Sequence, residues 1–307
     1  MPLTTMAKRR LARDIKELHT TQDELAEHGI YTTMAEDNMT RVFVLIIGTK
    51  DTPFEGGFYF FQLSIPDNYP IKPPKMHFLT LSPDIRIHPN LYTEGKVCLS
   101  IINTWEGDGW SASNTLRSML IAVQSYVFNE YPLHNEPGFE SEAPEKGSSV
   151  LAFNRFVTFQ NYRIAINKML THVPHKALKP LVPVMEKHIR ANAQSYFNRL
   201  IELCKTRQSE EVVCTAYSGK SSCITDYHTQ YERFAKYCAS LGITPETPYK
   251  PDKKSKPKKS SPPPAETAPA MLLPMKMPTV LMKEQLKTMG KLKTKKTAKK
   301  TAKKVKD

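Results

Sequence analysis

Cysteine is scarce in this 307-residue chain, and no two cysteines form a C-x-x-C pair. Cys98, Cys204, Cys214, Cys223 and Cys238 are an odd number at irregular spacing, which argues against a disulfide framework and against a zinc ribbon. They read as thiols of a reducing compartment, the last four as packing residues. Long apolar runs are lacking too. The longest, Val42 to Ile47, is of strand length, far short of the roughly 20 residues a membrane helix needs. The start, Met1-Pro2-Leu3-Thr4-Thr5-Met6, turns basic at once with no apolar stretch behind it, unlike a secretory signal. These absences lead us to expect a soluble intracellular protein, cytoplasmic, nuclear or both, with no membrane partner, metal or cofactor. The body has no internal repeats, and at this length it exceeds one typical domain without having to hold two.

Acidic residues are nearly missing from one region. From Lys250 to Asp307 there are 18 lysines and no arginine against Asp252, Glu266, Glu284 and Asp307, which accounts for the whole formal charge of +14. Residues 1–249 are balanced, with 26 basic and 26 acidic side chains. Aromatics vanish over the same stretch while proline, lysine, serine, threonine and alanine dominate. Such a segment buries too little apolar surface to offset its ordering entropy, so residues 244–307 are expected to be a disordered basic tail. Its clusters, Lys253-Lys254-Ser255-Lys256-Pro257-Lys258-Lys259 and Lys291 to Lys306, are similar to linker-histone tails, which bind nucleic acid through phosphates in a salt-sensitive, sequence-blind way. The first also fits a nuclear localisation signal. A solubilising extension remains an open alternative.

What is present in the body is a patterned α+β sequence. Thr4 or Thr5 can cap a helix to about Leu18, with Leu11, Ile15 and Leu18 on one face. Arg41–Ile47, Phe58–Ile65 and Lys75–Leu79 read as strands, separated by Asp51-Thr52-Pro53-Phe54-Glu55-Gly56-Gly57 and by Pro66 to Pro74. Links this short imply an antiparallel meander. Ser111-Ala112-Ser113-Asn114 is expected to open a helix carrying Leu116, Met119, Leu120, Val123 and Val127. A loop spans Pro132 to Pro144. Helical patterning resumes over Leu151–Leu170, Pro183–Cys204 and about Asp226–Leu241.

The chemistry is concentrated in His88-Pro89-Asn90-Leu91-Tyr92-Thr93-Glu94-Gly95-Lys96-Val97-Cys98-Leu99-Ser100. A cysteine stands eight residues after an asparagine, with a turn glycine between and a hydrophobic residue on each side of the thiol. The thiol can form a thioester, the amide can stabilise a developing oxyanion, and proline and glycine shape the loop. The amide can equally brace the loop backbone, and His88 reads as structural rather than as a general base. An accessible sulfur is expected.

This passage resembles the active-site signature of ubiquitin-conjugating enzymes. Five blocks look like that family in order: Asp51 to Gly57, Tyr69-Pro70-Ile71-Lys72-Pro73-Pro74, His88-Pro89-Asn90, Gly95 to Ile101, and Trp110-Ser111. Leu99-Ser100-Ile101, the Thr104-Trp105 insertion and Tyr131 to Glu140 resemble the Z-type branch. The resemblance implies the conjugating (UBC) fold: an N-terminal helix, a four-stranded antiparallel meander and C-terminal helices. It divides the chain into a core over 1–149, a helical extension over 150–243, and the tail.

It also implies two acyl transfers. An activating enzyme passes ubiquitin, or a ubiquitin-like protein, to Cys98, and a substrate lysine then takes it, usually with a ligase present. Asn90 would stabilise the oxyanion or brace the loop. Ser100 stands where the family usually has an acid, so Glu136, with His134 beside it, is the remaining candidate to orient or deprotonate the lysine. The family's ligase face would here use Lys8, Arg9, Pro70, Ile71, Ser111 and Ala112. Ala112 replaces a usual proline, which puts common ligases in doubt. Two other readings stand beside this one: a non-catalytic binding module of the same fold, and a nucleic-acid-associated protein whose tail is the main functional element.

Overall fold

The computed structural model describes residues 3–36, 38–83, 85–214 and 221–250; residues 251–307 of the expected basic tail lie outside them, while the Glu246 amide bonds Gln194 and Tyr249 packs against Tyr231. Helix α1 (Thr5–Thr20) starts where Thr4 accepts a hydrogen bond from the Ala7 amide at 3.1 Å, and it buries Ala7, Leu11 and Leu18. A short helix α2 (Gln22–Glu27) follows. Four strands form one antiparallel sheet in chain order: β1 (Ile30–Ala35), β2 (Asn38–Ile47), β3 (Phe58–Ser64) and β4 (Lys75–Phe78). The sequence pattern shows three of these. β1, read Ile-Tyr-Thr-Thr-Met-Ala, is half polar and gains its place by pairing with β2, Thr32 against Val44.

The apolar run in β2 is buried on both faces, and the structure shows why. Val42, Val44 and Ile46, with Tyr59, Phe61 and Leu63 of β3, pack toward α1 and α3 (Leu116–Val127). Phe43, Leu45 and Ile47, with Phe58 and Phe60, face the opposite way, into a second apolar cluster built by the C-terminal half of the chain. Residues 150–243 therefore do not pack as a separate unit. Much of this segment, from Phe159 to Cys238, covers the far face of the sheet, while Val150, Phe153, Phe156, Val157 and Val212 join the first cluster.

That half contains α4 (Ser149–Gln160), capped by Ser148, then a π-helical segment Asn161–Lys168 and α5 (Met169–Thr171). A 3₁₀ turn (Lys176–Leu181) leads into α6 (Val182–Thr206), and a hairpin of β5 (Glu211–Cys214) and β6 (Ser221–Ile224) precedes α7 (Tyr227–Ser240). The sequence reading had no hairpin here, because two four-residue strands leave almost no periodicity to see. The π-helical segment directs Asn161 inward: its Oδ1 accepts from Tyr59 Oη at 2.6 Å and its Nδ2 donates to the Glu55 carbonyl at 2.9 Å. Tyr196 Oη adds a bond to the Gly56 carbonyl at 2.6 Å. Gly56 has φ +68°, and a Cβ there would meet the Tyr196 hydroxyl at 2.3 Å, so only glycine allows this joint.

One expectation is corrected. Ser111–Asn114 does not open a helix; α3 begins at Leu116, where Thr115 and Ser118 form a reciprocal capping box. Thr115 wins because its side chain reaches the Ser118 amide while Ser118 reaches back to the cap amide. No described helix is long and apolar enough to cross a membrane.

Candidate active site

The Cys98 segment is held by the residues that precede it. Tyr92 and Gly95 close a tight turn through the bonds Gly95 N to Tyr92 O and Tyr92 N to Lys96 O, both 3.0 Å, and Gly95 sits at φ +90° against the His77 ring. Past the turn the chain runs back antiparallel to itself, with Leu91 bridged to Val97. Cys98 N then donates to Asn90 O at 2.9 Å and Asn90 Nδ2 donates to Cys98 O at 2.7 Å. Asn90 is thus a clamp on both backbone groups of the cysteine. Its Oδ1 is fixed by Asn135 Nδ2 at 3.0 Å, and Asn135 also donates to Tyr126 O at 3.1 Å. One of the two Asn90 amide protons is used on Cys98 O.

His88 is fully buried, and its Nδ1 accepts from the Asn90 amide at 2.9 Å, so it supports the loop from below. Burial, with the Arg86 charge nearby, lowers its pKa to about 3, which keeps the ring neutral. Its Nε2 lies near the Val127 backbone without meeting hydrogen-bond geometry.

The sulfur is less open than expected. Cys98 is only 3% exposed, yet it belongs to neither apolar cluster. The cover is local: Sγ donates to the Thr104 carbonyl at 2.9 Å. The inserted residues after Ile102 fold over the thiol, a consequence that insertion length alone does not reveal. Burial raises the Cys98 pKa, while the Lys96 and Arg86 charges pull it back down. Both cations flank the Tyr92 ring, Arg86 at 3.9 Å and Lys96 at 5.2 Å from its centroid.

Glu136 directly follows Asn135, half-buried; burial raises its pKa, opposed by Arg86 and aided by Glu140. Arg86 therefore acts on the thiol, on His88 and on this carboxyl together. His134 is turned to the Glu142 carbonyl at 2.9 Å and packs on Tyr131. The sequence reading missed Arg86, Asn135 and Thr104 as site residues. Asn135 and Thr104 stood inside the quoted blocks, whereas nothing in the pattern singled out Arg86. The described residues hold no cluster of side chains suited to a metal.

The elements that carry the residues expected to meet partners are linked. Arg10 on α1 pairs with buried Asp14 at 2.8 Å and donates to the Ala112 carbonyl at 2.6 Å and to the Asn114 carbonyl. Trp110 Nε1 donates to the Pro70 carbonyl at 2.7 Å. These links tie α1 to the Ser111-Ala112 turn and that turn to Pro70-Ile71; Lys8 and Arg9 on α1 and Ser111 and Ala112 are exposed. Pro70 is buried and Ile71 is 64% exposed.

A helix, an antiparallel four-stranded sheet and a cysteine clamped by an asparagine define a class, and comparison with known proteins agrees with it. Residues 10–149 match the family model described as Ubiquitin-conjugating enzyme, and that region belongs to the family. It is 37% identical over 201 residues to Ubiquitin-conjugating enzyme E2 Z of Xenopus tropicalis, covering 64% of this chain and 60% of that protein. To Ubiquitin-conjugating enzyme E2 Z of Homo sapiens it is 36% identical over 199 residues, covering 64% and 53%. The chain thus spans a little over half the length of these curated relatives. The solved structure of human Ubiquitin-conjugating enzyme E2 G1 aligns with 37% of this chain and 88% of that one, at 35% identity and a TM-score of 0.32.

Proposed function

We propose that this chain is an acyl carrier: Cys98 accepts the C-terminal carboxyl of ubiquitin or a ubiquitin-like protein from an activating enzyme and hands it to a substrate lysine, with a ligase holding the parts. The thiolate attacks the activated carboxyl, the donor enzyme's thiol leaves, and a thioester forms at Sγ. The lysine amine then attacks that thioester, loses its proton and releases Cys98 as the thiol. Both steps pass through a tetrahedral oxyanion. The observation that carries the reading is the Asn90 clamp, which places a side-chain amide against Cys98 and is itself held by Asn135. Lys96 and Arg86 favour the thiolate, and Glu136 is a carboxyl whose raised pKa suits it to receive a proton from an incoming amine. Lys8, Arg9, Pro70, Ile71, Ser111 and Ala112 form the face for the activating enzyme and ligase.

Incubation with activating enzyme, ATP and ubiquitin should give an adduct that reductant removes, and Cys98→Ser should convert it to a reductant-resistant ester. Charging that survives Cys98→Ala but not Cys223→Ala would end this reading. We further propose that the tail's lysine clusters hold nucleic-acid phosphates and favour a nuclear and cytoplasmic distribution. Deleting residues 250–307 should then abolish retention on DNA while leaving charging intact.

A further inference from the structure

The residue that covers the thiol makes an unusual number of bonds to it and its neighbours. The Thr104 amide donates to the Leu99 carbonyl at 3.1 Å. Its Oγ1 accepts from the Leu99 amide at 2.9 Å and shares its one proton between the Val97 carbonyl at 2.9 Å and the Leu99 carbonyl at 3.1 Å. Its own carbonyl takes the Cys98 S–H at 2.9 Å. Every polar group of this residue is therefore committed to residues 97–99. Thr104 itself lies at the surface, while the cysteine beneath it is 3% exposed.

The loop that carries Thr104 is closed at its base. Asn103 is left-handed, φ 56°, and its Oδ1 accepts from Trp110 N at 2.7 Å. A Cβ on Gly109 would lie 2.4 Å from that same oxygen, so glycine is required where the loop returns. Trp110 is anchored in turn on Pro70. Residues 103–110 thus form a pinned loop that meets the sulfur through the Thr104 carbonyl.

We propose that Thr104 is the positioning residue for the Cys98 thiol, its hydroxyl stapling the backbone on both sides of the sulfur while its carbonyl fixes the side-chain direction and holds the proton on sulfur until the sulfur turns from that carbonyl to an incoming acyl donor. This rests on the reading of Cys98 as the acyl-accepting thiol. The reason for such a device follows from thiol chemistry. A sulfur exposed and free to ionise would be open to oxidation and adventitious alkylation. A carbonyl bonded to S–H stabilises the thiol and gives nothing to the thiolate, so the shelter is lost when the donor arrives. The hydroxyl keeps residues 97–99 in place during that change, because its bonds go to the backbone and not to the sulfur.

The test uses the full chain and a small alkylating probe, iodoacetamide, with mass spectrometry resolving the Cys98 and Cys223 peptides across a pH series. Thr104→Val keeps the shape and removes the hydroxyl bonds. Cys98 alkylation should speed up about tenfold, the scale of one lost hydrogen bond, and its pH midpoint should fall as the thiol becomes better hydrated. Half-buried Cys223 should react as before. Thr104→Ser, which restores the hydroxyl, should stay within about twofold of the parent rate. A Cys98 rate and midpoint unchanged in Thr104→Val would overturn the proposal, as would equal acceleration at both sulfurs, which would mean general loosening. Alkylation needs no activating enzyme, so a chain that never accepts ubiquitin would refute the acyl-carrier reading and leave this result readable.

Discussion

Asn90→Ala separates the two jobs its amide can do. The substitution removes the 2.7 Å donor to the Cys98 carbonyl and deprives Asn135 Nδ2 of one of its two acceptors. Leaving buried polar groups unpaired costs about 1–3 kcal/mol. For a protein of this size that lowers Tm by roughly 2–4 °C per kcal/mol. This part of the effect is expected whether or not the amide takes part in chemistry. The chemical part is separate. If the second amide proton meets the oxyanion, its loss should slow acyl transfer by about 10²–10³. The assay is single-turnover discharge of preformed Cys98 thioester onto free lysine, alongside thermal unfolding of the same sample. Asn135→Ala is the companion variant: it keeps the Asn90 amide but frees its other end, so it should give a smaller rate loss with a similar loss of stability. A discharge rate for Asn90→Ala within about threefold of the parent, at a reduced Tm, would refute the oxyanion role and leave only the clamp, since one such donor should be worth far more.

Three further outcomes follow from the geometry. Arg86→Gln removes a charge that lowers the Cys98 pKa, so the pH midpoint of Cys98 alkylation should move upward; a midpoint that stays put would refute the electrostatic link. Asn161→Leu leaves the Tyr59 hydroxyl and the Glu55 carbonyl without their partner, and urea unfolding should show a loss of about 2–4 kcal/mol, with no change meaning that this joint is not holding the two halves. His88 has a folded-state pKa of about 3 against 6.5 when unfolded, so the unfolded chain binds the extra proton between those values. Its contribution is therefore complete above about pH 6.5 and falls as pH drops toward 3, by up to about 1.4 kcal/mol per pH unit. The conservative His88→Asn variant should flatten that slope in pH-dependent urea titrations, and a slope equal to the parent would refute the assignment.

Much of the site was legible because its parts lie close together in the chain. Asn90, the turn at Gly95 and Cys98 span nine residues, and the clamp they form is a local hairpin whose bonds cannot be made any other way once the turn closes. The first helix was legible too, since its Thr4 cap and its apolar face at Leu11 and Leu18 are properties of neighbours in sequence. The β1 strand was not, because Thr32 and Thr33 become strand residues only against Val44 and Phe43.

Arg86, Asn135 and Thr104 entered the site through space. Asn135 reaches Asn90 across 45 positions of chain, and no spacing rule connects them. The same holds for the role of the C-terminal half. Helical periodicity announced α6 and α7, but the order of residues could not say that they would cover the sheet's outer face or that Asn161 and Tyr196 would grip the turn at Glu55 and Gly56. Sequence alone singled out the candidate thiol and the local frame around it, because short-range turns and caps are fixed by nearest neighbours. Only tertiary structure decided that this sulfur lies sheltered under Thr104 within the influence of two cations, because burial and charge proximity are sums over residues that the chain brings together only when it folds.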